Sequence, residues 1–235
     1  MTALAERYST EQLSEINAQL EGKSPQDILR WAFDAFGDRI TLACSFGGAS
    51  GMVLLDMSVA IKPDVRVFYL DTEVLFPETY ALAERAAKHY GIEPIAFKPL
   101  VTLGQQAERY GDAIWASDPD ACCAIRKVEP NVRALQGMDA WISGLRRDQS
   151  STRSTVQPVD WDAKFDLVKI SPLYAWTEGD VWKYVMEHSV PYNPLHDRGY
   201  PSLGCVHCTR AVRPGEDPRA GRWEGFDKTE CGPHG

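Results

Sequence analysis

The chain has 235 residues, of which 44% are hydrophobic and 25% are charged, the balance of an ordinary globular protein. Its net charge of −8 argues against a general nucleic-acid binder, because affinity for a phosphate backbone depends on basic residues. The charge is uneven: residues 1–121 carry 10 Lys and Arg against 18 Asp and Glu, whereas residues 122–235 carry 15 of each. An anionic ligand is therefore expected to meet arginines of the second half.

Neither membrane insertion nor secretion is predicted. No run of eighteen or more apolar residues occurs, so we expect no transmembrane helix and no membrane partner. The first residues lack the basic and then apolar pattern of a secretory signal, which makes the cytoplasm the predicted compartment.

Helical and strand patterns alternate along the chain. Ser9 with Gln12 forms a capping-box pattern before the first predicted helix, and Ser24 with Pro25 opens the second. Further helices are predicted at 51–60, 77–90, 102–110, 121–136 and 177–188, and strands at 40–44, 65–70, 94–97, 141–143 and 167–170. This alternation predicts parallel βαβ units, and hence an α/β fold with helices on both faces of a parallel sheet.

A glycine-rich turn at residues 45–51 joins the first predicted strand to a helix. Glycine lets a backbone approach an anion, and a helix N-terminus offers unpaired N–H groups. The turn matches neither the Walker nor the dinucleotide pattern, so a plain connection is the alternative. Ligands of such sheets bind at the carboxyl ends of the strands, where this turn and Asp71 both lie. The candidate ligand-binding residues here are Ser45, Phe46, Gly47, Gly48 and Asp71.

Four of the six cysteines form two pairs, Cys122 with Cys123 and Cys205 with Cys208. A Cys-x-x-Cys pair can direct both thiolates at one ion, whereas adjacent cysteines diverge and suit a multi-iron cluster better. The spacing leaves an iron–sulfur cluster, structural zinc and redox thiols open. Cys44 lies in an apolar run and is predicted to be buried.

The sixth cysteine, Cys231, lies on a polar C-terminal segment beside His234. Cysteine is uncommon in such a place, and a neighbouring imidazolium lowers a thiol pKa. Cys231 is therefore a candidate nucleophile, with a stray terminal cysteine as the alternative. Arginines at 146–147 and at 219 and 222 could hold phosphate or sulfate oxygens through forked contacts.

Taken together, these segments resemble the assimilatory adenylyl-sulfate reductases, within the wider phosphoadenylyl-sulfate reductase family, from about residue 40 to the end. The resemblance rests on residues 45–49, 70–72, 122–127, 143–150, 204–209, 221–223 and 230–234. The two cysteine pairs are a feature of the cluster-bearing branch of that family. The chain departs from the family at residues 48, 50–51, 73–75 and 233, positions that bear on nucleotide specificity.

The resemblance implies an adenine-nucleotide alpha-hydrolase-like fold related to the pyrophosphatase-loop enzymes. It also implies one 4Fe–4S cluster on Cys122, Cys123, Cys205 and Cys208. Thioredoxin or a glutaredoxin-like protein would be the reductant. By position, Lys127, Arg219 and Arg222 are expected at the sulfate and phosphate end, with Arg146 and His234 as further candidates. The implied organisation is N-terminal helices at 1–38, a nucleotide-binding domain with the iron–sulfur site at 39–215, and a mobile tail at 216–235.

The expected reaction is thiol-dependent reduction of adenylyl sulfate to sulfite and AMP through an S-sulfonate on Cys231, in sulfate assimilation and cysteine biosynthesis. The absence of Lys and Arg between residues 41 and 60 favours the nucleotide without a 3′-phosphate. The alternatives are a 3′-phosphoadenylyl-sulfate reductase or dual-specificity enzyme, an ATP-using adenylating or thiolating enzyme that grips RNA, and a zinc-stabilised nucleotide-binding module.

Overall fold

The computed structural model describes residues 8–234, excluding the side chain of His234, and is built around a six-stranded sheet. The strands are β1 (Ile40–Ala43), β2 (Val67–Leu70), β3 (Ile95–Phe97), β4 (Ala140–Ile142), β5 (Val159–Asp162) and β6 (Leu167–Ile170). Their order across the sheet is β3-β2-β1-β4-β6-β5, and the first five in this order run parallel. The predicted α/β fold is confirmed.

Helices connect the strands. They are α1 (Thr10–Leu20), α2 (Pro25–Phe36), α3 (Ala49–Ile61), α4 (Pro77–Tyr90), α5 (Leu103–Tyr110), α6 (Ile114–Ser117), α7 (Pro119–Cys123), α8 (Glu129–Leu135) and α9 (Glu178–Glu187). Ser9 and Gln12 form the predicted capping box before α1, and Ser24 caps α2. Within the described part of the chain, no helix is long and apolar enough to cross a membrane.

The main core lies where α3 meets β1. Leu42, Met52 and Leu54 are fully buried there, together with Ile28 and Leu29 of α2. Each large apolar side chain buried in this way contributes about 1.5–3 kcal/mol relative to exposure. Because α3 begins directly after the glycine-rich turn, this packing fixes the turn on the sheet. The predicted division of the chain at residues 38 and 215 stays a prediction.

Strand β5 was not predicted, and it runs antiparallel to β6. Its sequence, Val159-Asp160-Trp161-Asp162, alternates two residues that favour strands with two aspartates that disfavour them. Both aspartates have partners: buried Asp162 pairs with Lys169 of β6 at 3.0 Å, and Asp160 accepts a hydrogen bond from the Gln157 N–H at 3.3 Å. The sheet is therefore parallel, as predicted, except for the added strand at this edge.

The helix predicted at 121–136 is interrupted by a π-helical turn at Ala124–Val128, between α7 and α8. Pro130 lies just beyond this turn and has no N–H to donate to the carbonyl of Arg126, so the regular α-helical bonding is broken here. Arg126 and Lys127 lie on the turn with buried side chains. The break thus sets two cations beside the cysteines of α7.

Candidate active site

The glycine-rich turn has an unusual backbone that side chains from elsewhere hold in place. Phe46 has a φ of 53°, in the left-handed region that non-glycine residues rarely adopt. Its ring is fully buried in the core, edge-on to Tyr69, so its contribution to a ligand site is limited to its backbone. Asn193 donates to the Phe46 carbonyl at 3.2 Å, and the His196 Nε2 atom lies 2.9 Å from the Gly47 carbonyl. Sequence reasoning assigned neither residue a role.

The neighbouring strand ends approach this turn closely. A Cβ atom on Gly144 would lie 3.3 Å from the Ser50 side chain, so glycine permits the approach of the segment after β4. Asp71, at the end of β2, accepts a hydrogen bond from the Tyr80 hydroxyl at 2.7 Å and lies 3.6 Å from the Lys98 ammonium. The predicted ligand-binding residues after β1 and β2 therefore share one edge of the sheet, as parallel strands require.

The two cysteine pairs line one pocket. Cys122 and Cys123 end α7, while Cys205 precedes a short 3-10 turn that Cys208 ends. The pocket is lined by Val74, Leu103, Trp115, Cys122, Cys123, Arg126, Lys127, Cys205, His207 and Cys208. His207 stacks on Trp115 with ring centroids 3.9 Å apart, which gives it a packing role. Among the described residues, no three His, Cys, Asp or Glu side chains are grouped as a single-ion site.

Arg126, which lines this pocket, is buried, and only part of its guanidinium is hydrogen-bonded. The Arg126 guanidinium is 1% exposed and donates to Gln106 at 2.8 Å, to the Thr72 carbonyl at 3.2 Å and to Glu73 at 3.1 Å. Its Nη2 atom is buried and has no hydrogen-bond acceptor among the described residues. Such a donor is costly to bury unless an acceptor faces it. The sulfur atoms of a cluster held by the four thiols would be acceptors of this kind, so the residues present fit the implied group.

Cys231 lies against Lys127. The Lys127 ammonium is buried and donates to the Cys231 Sγ atom at 2.8 Å. A hydrogen bond from the Cys123 thiol, together with the charges of Lys127 and Arg222, holds the pKa of Cys231 well below its ordinary value, although burial opposes the shift. Cys44, in contrast, is buried, and desolvation raises its pKa to about 12. A lowered pKa favours the thiolate, the nucleophilic form of cysteine, and the charges of Lys127 and Arg222 would still lower the pKa of Cys231 with Cys123 bound in a cluster.

The predicted arginines differ in their surroundings. Arg146 is 3% exposed and fully engaged, with Ser50, Asp148, Glu178 and the Trp176 carbonyl as partners. Arg222 donates to Ser202 and to the Leu203 carbonyl, and stacks on the Trp223 ring at 4.3 Å.

Arg219 donates to the Thr229 carbonyl at 2.6 Å. Arg219 therefore contacts the residues just before Cys231, and Arg222 is close enough for its charge to act on the Cys231 thiol. Arg146 lies in an internal network. The side chain of His234 lies outside the described residues. Sequence reasoning also missed Arg153, which pairs with Glu230.

Solved structures define the fold class. The crystal structure of a phosphoadenylyl-sulfate reductase from Candida auris, as a phosphate complex, matches with a TM-score of 0.76 and 32% identity, over 86% of this chain and 98% of that chain. The FMN adenylyltransferase of Candida glabrata matches with a TM-score of 0.57 and 17% identity, over 78% of this chain and 60% of that chain, and shows the fold alone. The predicted adenine-nucleotide alpha-hydrolase-like fold is confirmed.

Sequence relatives define the family. Residues 39–211 match the phosphoadenosine phosphosulfate reductase domain. The adenosine 5′-phosphosulfate reductase of Shouchella clausii is 46% identical over 235 residues, which cover 100% of this chain and 97% of that protein. The adenosine 5′-phosphosulfate reductase 2 of Bacillus subtilis is 49% identical over 209 residues, or 88% of each chain. The chain belongs to the phosphoadenosine phosphosulfate reductase family, as the resemblance predicted.

Replacing Asn193 by alanine is expected to weaken binding of adenine nucleotides as well as to destabilise the fold. The change leaves the carbonyl of Phe46 and the N–H of Leu195 without their partners, at a cost of about 1–3 kcal/mol. Urea unfolding and calorimetric titration with AMP measure the two effects. Asn17→Ala is the control, because Asn17 also bonds the backbone, at Val159, but away from the turn. Unchanged AMP affinity in the Asn193 variant would contradict the role in the turn.

Proposed function

We propose that this chain reduces adenylyl sulfate to sulfite and AMP with a dithiol as electron donor. The observation that carries the proposal is the Cys231 Sγ atom 2.8 Å from the buried Lys127 ammonium. A thiolate beside a fixed cation is suited to attack an anionic sulfuryl group. Relatives 43–49% identical to the chain carry the name adenosine 5′-phosphosulfate reductase, which supports this substrate.

The nucleotide would lie along the strand ends. The turn at 45–48 offers backbone N–H groups and the Ser45 hydroxyl to the phosphate, and α3 adds the positive end of its dipole. Arg219, Arg222 and Lys127 would face the sulfate end, where the guanidinium forks and the ammonium neutralise oxygen charge. The contacts of Arg146 support a positioning role for it, since its guanidinium bonds Ser50 at the start of α3.

The proposed chemistry has two steps. In the first, the Cys231 thiolate attacks the sulfur of the sulfuryl group, a sulfur–sulfur bond forms, and the oxygen–sulfur bond to AMP breaks. In the second, a thiolate of the reductant attacks the Cys231 sulfur, and sulfite leaves with the electron pair of the sulfur–sulfur bond. The second thiol of the reductant then resolves the mixed disulfide and restores Cys231. The dithiol thus supplies both electrons.

We further propose that Cys122, Cys123, Cys205 and Cys208 hold one 4Fe–4S cluster. Four thiols lining one pocket, a tandem pair among them, and the unpartnered Nη2 of Arg126 support it. When bound, the cluster would link α7 covalently to the turn at Val206–Cys208. No step proposed above would need electrons from it.

The reductant is proposed to be thioredoxin or a glutaredoxin-like protein acting in the cytoplasm, where thiols stay reduced. Access to Cys231 for such a protein requires that residues 216–235 move, so tail mobility forms part of the proposal. A 3′-phosphoadenylyl-sulfate substrate is the second candidate, favoured by the structural match to the Candida auris enzyme.

The first prediction from the proposed function concerns the metal. Protein purified without oxygen is expected to contain about four irons and four acid-labile sulfides per chain. Cys208→Ser should lower both contents, while Cys44→Ala, which removes a buried thiol outside the pocket, should not. Stoichiometric zinc without acid-labile sulfide would instead support the zinc-stabilised module.

The second prediction concerns the nucleophile. Incubation with adenylyl sulfate and no reductant is expected to add the mass of one sulfonate to the Cys231 peptide. Cys231→Ser should bind AMP and keep its iron but lose sulfite formation by at least about 10³-fold, because the covalent step is abolished. Normal turnover of that variant would refute the mechanism.

The third prediction concerns the nucleotide. Adenylyl sulfate is expected to have the higher kcat/KM, because residues 41–60 carry no Lys or Arg that could bind a 3′-phosphate. Competition between the two nucleotides with one thioredoxin measures the ratio. A kcat/KM for the 3′-phosphorylated substrate that equals or exceeds the other would reassign the substrate and leave the nucleophile and the cluster untouched.

A further inference from the structure

Glu230 directly precedes Cys231. Among the described residues, it forms the most buried ion pair of the C-terminal segment, residues 216–234. Arg153 donates through Nε to one carboxylate oxygen of Glu230 at 2.8 Å and through Nη2 to the other at 2.5 Å. The side chains of Arg153 and Glu230 are only 11% and 13% exposed. Such a two-pronged contact fixes orientation as well as distance. It therefore restricts where the next residue, Cys231, can lie.

Further groups converge on the same carboxylate. The Thr152 hydroxyl donates to it at 2.9 Å, and the Arg219 guanidinium lies 3.6 Å away. Burial alone would raise the pKa of Glu230, but the hydrogen bonds and charge of Arg153 outweigh burial and leave the pKa below its ordinary value. The carboxylate is accordingly charged and fully partnered when the segment lies against the domain.

The segment on the other side of Cys231 is held by steric fit. A Cβ atom on Gly232 would lie 2.7 Å from the Val128 side chain and 3.3 Å from that of Cys123, so the backbone packs directly on the π-helical turn. Lys164 donates to the Gly232 carbonyl at 2.5 Å. Fixed on both sides, Cys231 has little freedom to leave Lys127 while Glu230 stays paired.

We propose that the Glu230–Arg153 ion pair is the latch that holds the C-terminal segment closed and positions Cys231 on Lys127 for attack on the nucleotide. Glu230 is a positioning residue in this proposal, since it acts through Cys231. The latch must break before a protein thiol can reach Cys231. Closure therefore serves the first step of the proposed reaction, and opening serves the second.

The latch itself can be tested without substrate, in the full-length protein with its cluster. Hydrogen exchange of the amides at 224–234 should speed up by at least about tenfold in Glu230→Gln and in Arg153→Gln, because local opening becomes easier. The effect of the double variant on exchange should be smaller than the sum of the two single effects, since both changes remove the shared Glu230–Arg153 pair. Asp120→Asn is the matched control. It breaks the Lys228–Asp120 pair of the same segment, in which the Asp120 side chain is 79% exposed, and should change little.

Exchange in the Glu230 variant that equals wild type would overturn the latch. So would additive effects of Glu230→Gln and Arg153→Gln, or an effect of Asp120→Asn as large as theirs.

The positioning role is tested on the two steps separately, and this part rests on the proposed function. In a single turnover with saturating adenylyl sulfate and no reductant, Glu230→Gln should form the Cys231 sulfonate at least about tenfold more slowly, while its AMP affinity stays within about threefold of wild type. Once the sulfonate has formed, dithiothreitol should release sulfite from the variant at least as fast as from wild type. General structural damage would slow both steps, and that outcome would refute the positioning role. If wild type forms no sulfonate, the proposed function fails, while the exchange data still decide whether the latch exists.

Discussion

The contact between Lys127 and Cys231 is the interaction on which the rest of the site depends. It joins two segments that are far apart in the sequence, a helical turn after α7 and the end of the chain. Lys127 points at the C-terminal segment because the chain forms a π-helical turn ahead of Pro130. Cys231 reaches Lys127 because Gly232 allows the backbone to touch Val128. A regular helix, or a larger residue at 232, would separate thiol and ammonium.

The glycine-rich turn after β1 also depends on backbone geometry that distant residues hold in place. The left-handed conformation of Phe46 costs of order 1–3 kcal/mol, which the surrounding contacts must offset. Asn193 and His196 occupy the carbonyls of the turn, and the Phe46 ring anchors it in the core. These contacts engage the carbonyls of Phe46 and Gly47. A segment after α9 thus supports the proposed anion site, which has no charged side chain in the turn.

The sequence was sufficient for the fold and for most of the helices and strands, because apolar runs, caps and glycines report local structure directly. It was insufficient where tertiary contacts decide. The two aspartates of β5 disfavour a strand, so the pattern did not predict this edge strand. Pro130 turns a predicted continuous helix into two helices and a π-helical turn. Family resemblance named Arg146 as a further candidate for the substrate pocket, which stays a prediction, but no local pattern predicted its ion pair with Glu178.

Arg153, seven residues further along, carried no signal in the sequence that set it apart from a solvated surface arginine. Its importance comes from Glu230, which lies 77 positions away in the chain. Pairs at such separation cannot be read from local patterns, and no spacing rule connects them. The four pocket cysteines were identifiable because their chemistry is unusual for their number and spacing, whereas arginines are common in every surface loop.

Charge pairing then explains how an acidic protein can select an anionic substrate. Most cations near the site already have a carboxylate: Arg126 pairs with Glu73, Arg153 with Glu230 and Lys98 with Asp71. Lys127 and Arg222 differ, because among the described residues they make no ion pair with a carboxylate. Lys127 contacts the Cys231 thiol, and Arg222 contacts neutral oxygens. Uncompensated positive charge is therefore concentrated at Cys231, where it lowers the thiol pKa and, in the proposed function, would attract the sulfate end of the nucleotide.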